Sequence, residues 1–327
     1  MGRTNNPYHL DYTAGGSSGG EAAILAAAGS PLGIGTDSGG SIRLPAHYCG
    51  VAGLRTSHGL IPSTGHMPPT EGFPVLGVFA CFNSIGPMSR NVSDLLYVLP
   101  MLMGRDGIDP YADYEPLVKP EKINTQGLRV ALYTGVQGQM VDPEIESAVH
   151  KVAECLTQQG AIVEAIEPPG LSDARDIYCR VVGADGGDGI VALLKELNYE
   201  QYPVNLDKVL SRMPKNQSVQ QVIDARIEWD LYRMNLLNFM QSFDVILCPV
   251  ASHFALPHGQ TLVDPIYFEQ ENYLIPYSLM GWPSVVIPMG VGSSGLPIGV
   301  QLVGKYRKDY ELMMLATAMS QLLSRLL

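Results

Sequence analysis

The chain has 327 residues, 46% of them hydrophobic and 16% charged, with a formal net charge of −11. That balance is ordinary for a soluble globular protein with a large core. The acidic excess excludes a general affinity for nucleic-acid phosphates or anionic lipid, so direct nucleic-acid binding is not expected.

No apolar run reaches the ~18 residues that a membrane-spanning helix needs, and the opening MGRTNNPYHLDYT has no apolar signal core. The five cysteines are odd in number, widely spaced and without a CxxC pair. This pattern points to thiols in a reducing compartment, hence the cytoplasm, and gives no support to a structural zinc site.

In chain order, residues 1–14 read as an approach loop with turn chemistry at Asn5-Asn6-Pro7 and Asp11-Tyr12-Thr13. Two Gly/Ser clusters follow, Gly15-Gly16-Ser17-Ser18-Gly19-Gly20 and Ser38-Gly39-Gly40-Ser41. Between them, Ser18 and Glu21 have capping-box spacing for a helix through Ala28, with Gly29 as its stop. Leu32 to Thr36 then reads as a short buried strand. Ser93 or Asp94 starts a helix running to about Met103, and residues 105–126 read as a long surface connection. Gly127 to Tyr133 predicts a strand, Asp142-Pro143 opens a helix, and Ala161 to Ile166 predicts a second strand. This β–α–β alternation implies an α/β sandwich with parallel pairing. Residues 171–242 are mostly helical in pattern, with an unexplained glycine cluster at 183–189. Strands are expected over 243–249, 284–289 and 298–303, and Asp309 is expected to cap a last helix through Leu326.

The two Gly/Ser clusters carry the chemistry. Glycine lets backbone N–H groups converge, and serine supplies a hydroxyl that can attack or relay a proton. One helix–strand unit joining them suggests a hydroxyl nucleophile facing backbone donors. Taken singly, each cluster could be a plain turn, Ser41 an ordinary N-cap, and Asp37 with Arg43 a surface ion pair. Gly15 to Gly19 also fits G-x-S-x-G with His253 or His258 as a late base, but that elbow requires an apolar strand before it, and Asp11 to Ala14 is not one. Gly33 to Ser38 is a near miss to a dinucleotide loop; it lacks the last glycine, and Pro45 is expected to disrupt the next helix.

The block from Gly15 to Arg43, with Val51 to Leu60, Ser84 to Leu95 and Gly295 to Gly304, resembles the amidase signature family. The resemblance is strongest over 13–60 and 281–315 and weak over 105–240. It implies a single domain over 1–327: a signature core at about 13–104, a variable substrate wall at 105–242, and C-terminal strands and helix at 243–327. The implied fold is α/β, a mixed twisted sheet covered by helices on both faces. By residue matching, Ser41 is the nucleophile and Ser17, preceded by a cis peptide bond and 24 residues earlier, is the bridging serine. The N–H groups of Ser38, Gly39, Gly40 and Ser41 form the oxyanion site, and Asp37 and Arg43 brace the loop. Arg55 stands where the family more usually has lysine.

The resemblance implies hydrolysis of a small-molecule carboxylic amide with no metal or cofactor. It also implies an upstream lysine as base, yet the first lysine here is Lys119. Neither His9 nor Lys119, Lys122, Lys305 or Lys308 occupies that position. The expectation is therefore an N-terminally incomplete chain, poorly active alone, with exposed apolar surface and a tendency to homodimerise. Met67, Phe73, Val75, Phe79 and Met280 are candidates to line an apolar pocket. The alternatives are the glutamine-hydrolysing component of a tRNA-dependent amidotransferase and a non-catalytic family member.

Overall fold

Strongly apolar strands that bury both of their faces produce one large sheet rather than separate units. The computed structural model describes residues 2–66, 78–112, 117–196, 198, 206–260 and 266–325. The first elements are β1 (Asn5–Asn6), β2 (His9–Thr13), α1 (Gly19–Ala26), β3 (Leu32–Asp37), α2 (Arg43–Cys49), β4 (Ala52–Arg55), β5 (Ser84–Ser89) and α3 (Val92–Leu102). The middle contributes β6 (Arg129–Leu132), α4 (Pro143–Gln158), β7 (Ile162–Ala165), α5 (Ala174–Val182), α6 (Asp188–Glu196), α7 (Leu206–Leu210) and α8 (Val219–Phe239). The chain closes with β8 (Val245–Pro249), α9 (Ile266–Glu269), α10 (Glu271–Met280), β9 (Ser284–Val291), β10 (Pro297–Gly304) and α11 (Asp309–Leu323).

Eight strands form one sheet in the order β3-β5-β4-β9-β10-β8-β6-β7. The pairs from β3 to β8 are antiparallel, and β8-β6 and β6-β7 are parallel. The sheet is therefore mixed, and the parallel β–α–β unit falls over residues 127–166, as expected.

Strand alternation sorts the core onto two faces. Val130, Leu132, Val245, Leu247, Val285, Ile287, Val300 and Leu302 pack with α3, α4 and α11. The intervening Ala131, Ile246, Cys248 and Val303 pack with α5, α8 and α10, while Val286 packs with Leu25 of α1 and with Ile42 and Ala46 beside the sheet's other end. Each fully buried aliphatic side chain contributes about 1.5–3 kcal/mol.

Several local expectations change. Residues 5–13 form a two-stranded ribbon, because buried Asn6 donates from its side-chain amide to Thr13 O at 3.2 Å and Tyr48 O at 2.7 Å. Ser18 makes no capping bond to α1; its hydroxyl is drawn to β3, within 3.4–3.5 Å of the Thr36 backbone. α1 ends in a Schellman arrangement, Ala28 N–H to Leu25 O and Gly29 N–H to Ile24 O, with Ala28 rather than Gly29 at positive φ. Pro45 lies inside α2, in the first turn, where its missing N–H costs no helical bond. Asp309 does not cap α11; its buried carboxylate accepts from Ser57 N at 2.8 Å and Ser57 Oγ at 2.5 Å.

On α2, buried His47 accepts at Nδ1 from Gly299 N (2.8 Å) and donates from Nε2 to His253 O (3.1 Å), which selects the neutral tautomer. Burial pushes its pKa from 6.5 to about 4, against the opposing pull of the His253 carbonyl. The folded state therefore prefers the neutral ring. The stability this represents is intact above pH 6.5 and is lost as pH falls from 6.5 towards 4, about 3 kcal/mol in all. Urea midpoints are expected to fall between pH 7 and pH 5, with a shallower fall in His47→Gln; parallel profiles for the two proteins would remove His47 from this account.

Among the described residues no helix is long and apolar enough to cross a membrane.

Candidate active site

The site lies where α1, β3 and α2 meet. Ser18 N–H donates to Ser41 O at 3.1 Å, so the two Gly/Ser loops are tied directly. The peptide bond between Gly16 and Ser17 is cis. Ser17, Ser38, Gly39 and Ser41 all line one cavity of ≈ 870 Å³. Among the described residues, no hydrogen bond joins the Ser17 and Ser41 hydroxyls in this geometry.

Asp37 organises the second loop. It is fully buried and accepts from Gly40 N (2.7 Å), Ile42 N (3.1 Å), Arg43 N (3.3 Å), Arg43 Nε (3.0 Å) and an Arg43 terminal nitrogen (2.9 Å). Burial alone would raise its pKa; the Arg43 and Arg55 charges and the Gly40 N–H outweigh that and hold the carboxyl at about 2. The Asp37–Arg43 pair is thus an interior tie, not a surface ion pair. Arg43 extends it to Leu274 O, Ser278 Oγ and Gln301 Oε1. Arg55 is also fully buried and donates to Trp282 O and Phe82 O.

This arrangement corrects one expected donor. The Gly40 N–H is turned onto the Asp37 carboxylate and is not presented to the cavity. Its φ of +114°, and the overlap that any Cβ would make with Leu274 Cδ1, make glycine obligatory there. Among the described residues the N–H groups of Ser38, Gly39 and Ser41 have no backbone acceptor. Ser38 Oγ donates to Asn83 Oδ1 at 3.2 Å.

Of the cavity wall, Phe79 and a contribution from 105–242 were expected, and His66 was not. His66 lines it, and burial lowers its pKa. Phe79 lines it as expected, whereas Met280 is core on α10; Met67, Phe73 and Val75 lie outside the described residues. His253 and His258 are not on the cavity, and neither is a described lysine. Lys305 and Lys308 pair instead with Asp244 and Glu311. Among the described residues no cluster of His, Cys, Asp or Glu could hold a metal.

The family model described as Amidase matches residues 1–313. The chain belongs to the amidase family. Its members are hydrolases that act on amide C–N bonds, and this amidase shares their fold. It is 28% identical, over 97% of its length, to a glutamyl-tRNA(Gln) amidotransferase subunit from Picosynechococcus sp., of which it covers 70%. The corresponding protein from Lachnospira eligens is 30% identical, with 94% of this chain and 68% of that protein covered. Among solved structures, a bacterial aryl acylamidase of the amidase signature enzymes superposes with a TM-score of 0.82 and 26% identity, over 98% of this amidase and 68% of that chain. Fatty acid amide hydrolase, at 24% identity and TM-score 0.81 over 98% and 61%, shares the fold.

Proposed function

We propose that this amidase cleaves a carboxylic amide through an acyl-enzyme on Ser41. The observation that carries the reading is one cavity bordered by both serines and by Ser38, Gly39 and Ser41, whose N–H groups have no backbone acceptor among the described residues. Ser41 Oγ attacks the amide carbon while its proton passes to Ser17 and on to a base. The oxyanion rests on the N–H groups of Ser38, Gly39 and Ser41. The C–N bond breaks as the amine takes the proton back through Ser17. Water then cleaves the Ser41 ester, releasing the acid and restoring the hydroxyl.

A serine needs a base to become nucleophilic. The resemblance implies a neutral lysine, and none of the described lysines lines the cavity. Residues 1–327 are therefore expected to turn over aryl and aliphatic amides feebly. Robust hydrolysis by residues 1–327 that disappears in His66→Ala or His9→Ala would replace the lysine with that histidine. Ser17→Ala should slow turnover strongly while leaving slow fluorophosphonate labelling of Ser41.

A second reading, the glutamine-hydrolysing component of an amidotransferase, is favoured by the sequence relatives. Glutaminase assay with and without a tRNA-binding partner separates the two.

Homodimerisation is supported by α8. Besides its buried face, it leaves Val219, Ile223, Ile227, Leu231, Met234 and Leu237 exposed in one row. An antiparallel second copy would set Ile227 against Leu231, Ile223 against Met234, and Arg226 against Asp230. Sedimentation should give a dimer that Ile227→Glu with Leu231→Glu dissociates; a monomeric parent would end this proposal.

A further inference from the structure

We infer that the cavity beside Ser41 accepts an uncharged, apolar acyl group, and that the turn between α5 and α6 sets its depth; the inference rests on the amidase reading above. The volume, ≈ 870 Å³, is at the large end of small-molecule sites, which run about 300–1,000 Å³. Away from the serines its wall is built by Val182, Ile190, Leu193, Leu194, Val209 and Met213.

The charged groups on that wall pair largely with one another, although Arg212 Nε is buried without a hydrogen-bond partner among the described residues. Asp185 accepts from Gly187 N and Gly189 N, both at 2.8 Å. Glu271 is held by Arg212 at 2.9 and 3.0 Å and by Arg175 Nε at 2.8 Å. The Arg212 guanidinium also stacks 4.1 Å from the Phe268 ring centre. A substrate carboxylate, such as that of glutamine, would have to displace Glu271 from both arginines and leave its carboxylate buried without them. An alkyl chain or aromatic ring finds matching surface at Val182, Ile190, Leu193, Leu194, Val209 and Met213.

The same wall accounts for the glycine cluster. Gly187 has φ +86°, and a Cβ there would lie 2.5 Å from Leu210 Cδ2 and 3.0 Å from Met213 Sδ. At Gly183 a Cβ would lie 2.9 Å from Met213 Cβ. The glycines let the α5–α6 turn seat directly against Leu210 and Met213, and Gly183, Ala184 and Asp185 of that turn line the cavity.

The test is calorimetric titration of residues 1–327 with p-nitroanilides of acetic, butyric, hexanoic and decanoic acids, and with L-glutamine. Affinity is expected to rise roughly threefold to fourfold per methylene until the cavity is full, with no glutamine binding. Ile190→Trp, which shortens the cavity, should cost the decanoyl amide at least tenfold more than the acetyl amide. Should that variant fail to fold, Ile190→Ala reads the same end in the opposite direction. Affinity independent of chain length, or glutamine bound more tightly than the hexanoyl amide, overturns the inference. Fluorophosphonate labelling of Ser41, run in parallel, reports the catalytic reading separately. Chain-length dependence without labelling would sink the mechanism and leave the specificity standing.

Discussion

Ser41→Ala is expected to lower amide hydrolysis by at least about 10³-fold and to abolish covalent labelling by a fluorophosphonate. The size follows from the role. In the proposed mechanism Ser41 forms the acyl bond itself, so no neighbouring group can replace it. The loop should survive the change, because what shapes it is backbone: Ser18 N–H on Ser41 O and the N–H groups of Gly40, Ile42 and Arg43 on Asp37. A folded, inactive, unlabelled variant is the expected result, with unchanged circular dichroism and melting. Persistent labelling on another serine, Ser17 above all, would show that the nucleophile had been misassigned.

Arg43→Met should give the largest loss of stability. Removing one partner of a buried ion pair costs about 3–5 kcal/mol, since the other charge stays buried; at this chain length that is a fall in Tm of roughly 4–7 °C. Arg43 also holds Leu274 O on α10, Ser278 Oγ and Gln301 Oε1, so activity should fall with stability. The pH dependence has a defined sign. The carboxyl of Asp37 drops from 3.8 to about 2 on folding, so the folded state favours the ionised form. Its contribution, about 2 kcal/mol, is complete above pH 4 and is lost as pH falls through 2. Denaturant unfolding of the parent and of Arg43→Met at pH 7 and pH 3 checks both statements. A loss below 1 kcal/mol at pH 7 would mean that Arg55, 3.6 Å from Asp37, carries the carboxylate alone.

Much of the frame was legible in the chain because it is set by local chemistry. Short apolar runs marked the strands from Arg129 to Gly304, Asp142-Pro143 opened α4 with Asp142 accepting from Glu144 N, and two glycine–serine loops at fixed spacing carried the family resemblance. What escaped depends on contacts distant in sequence. α10 is apolar on all sides and contains Pro276, so no helical period reveals it, yet its Leu274 carbonyl anchors Arg43 across 231 residues. The Ser18 and Asp309 side chains had credible capping spacing; tertiary partners at Thr36 and Ser57 drew them elsewhere.

The sequence by itself determined which residues could do chemistry, because serine hydroxyls and glycine backbones are properties of residue type and spacing. Only the tertiary structure decided which of the loop N–H groups is taken up inside the protein. Gly40 is indistinguishable from Gly39 as a letter, but a buried carboxylate three residues away takes its N–H at 2.7 Å. Only the fold, too, decided what surrounds Ser41. Packing of α5, α6 and α7 against the loop puts apolar side chains from residues 178–213 beside it, and no local pattern near Ser41 encodes so distant a neighbour.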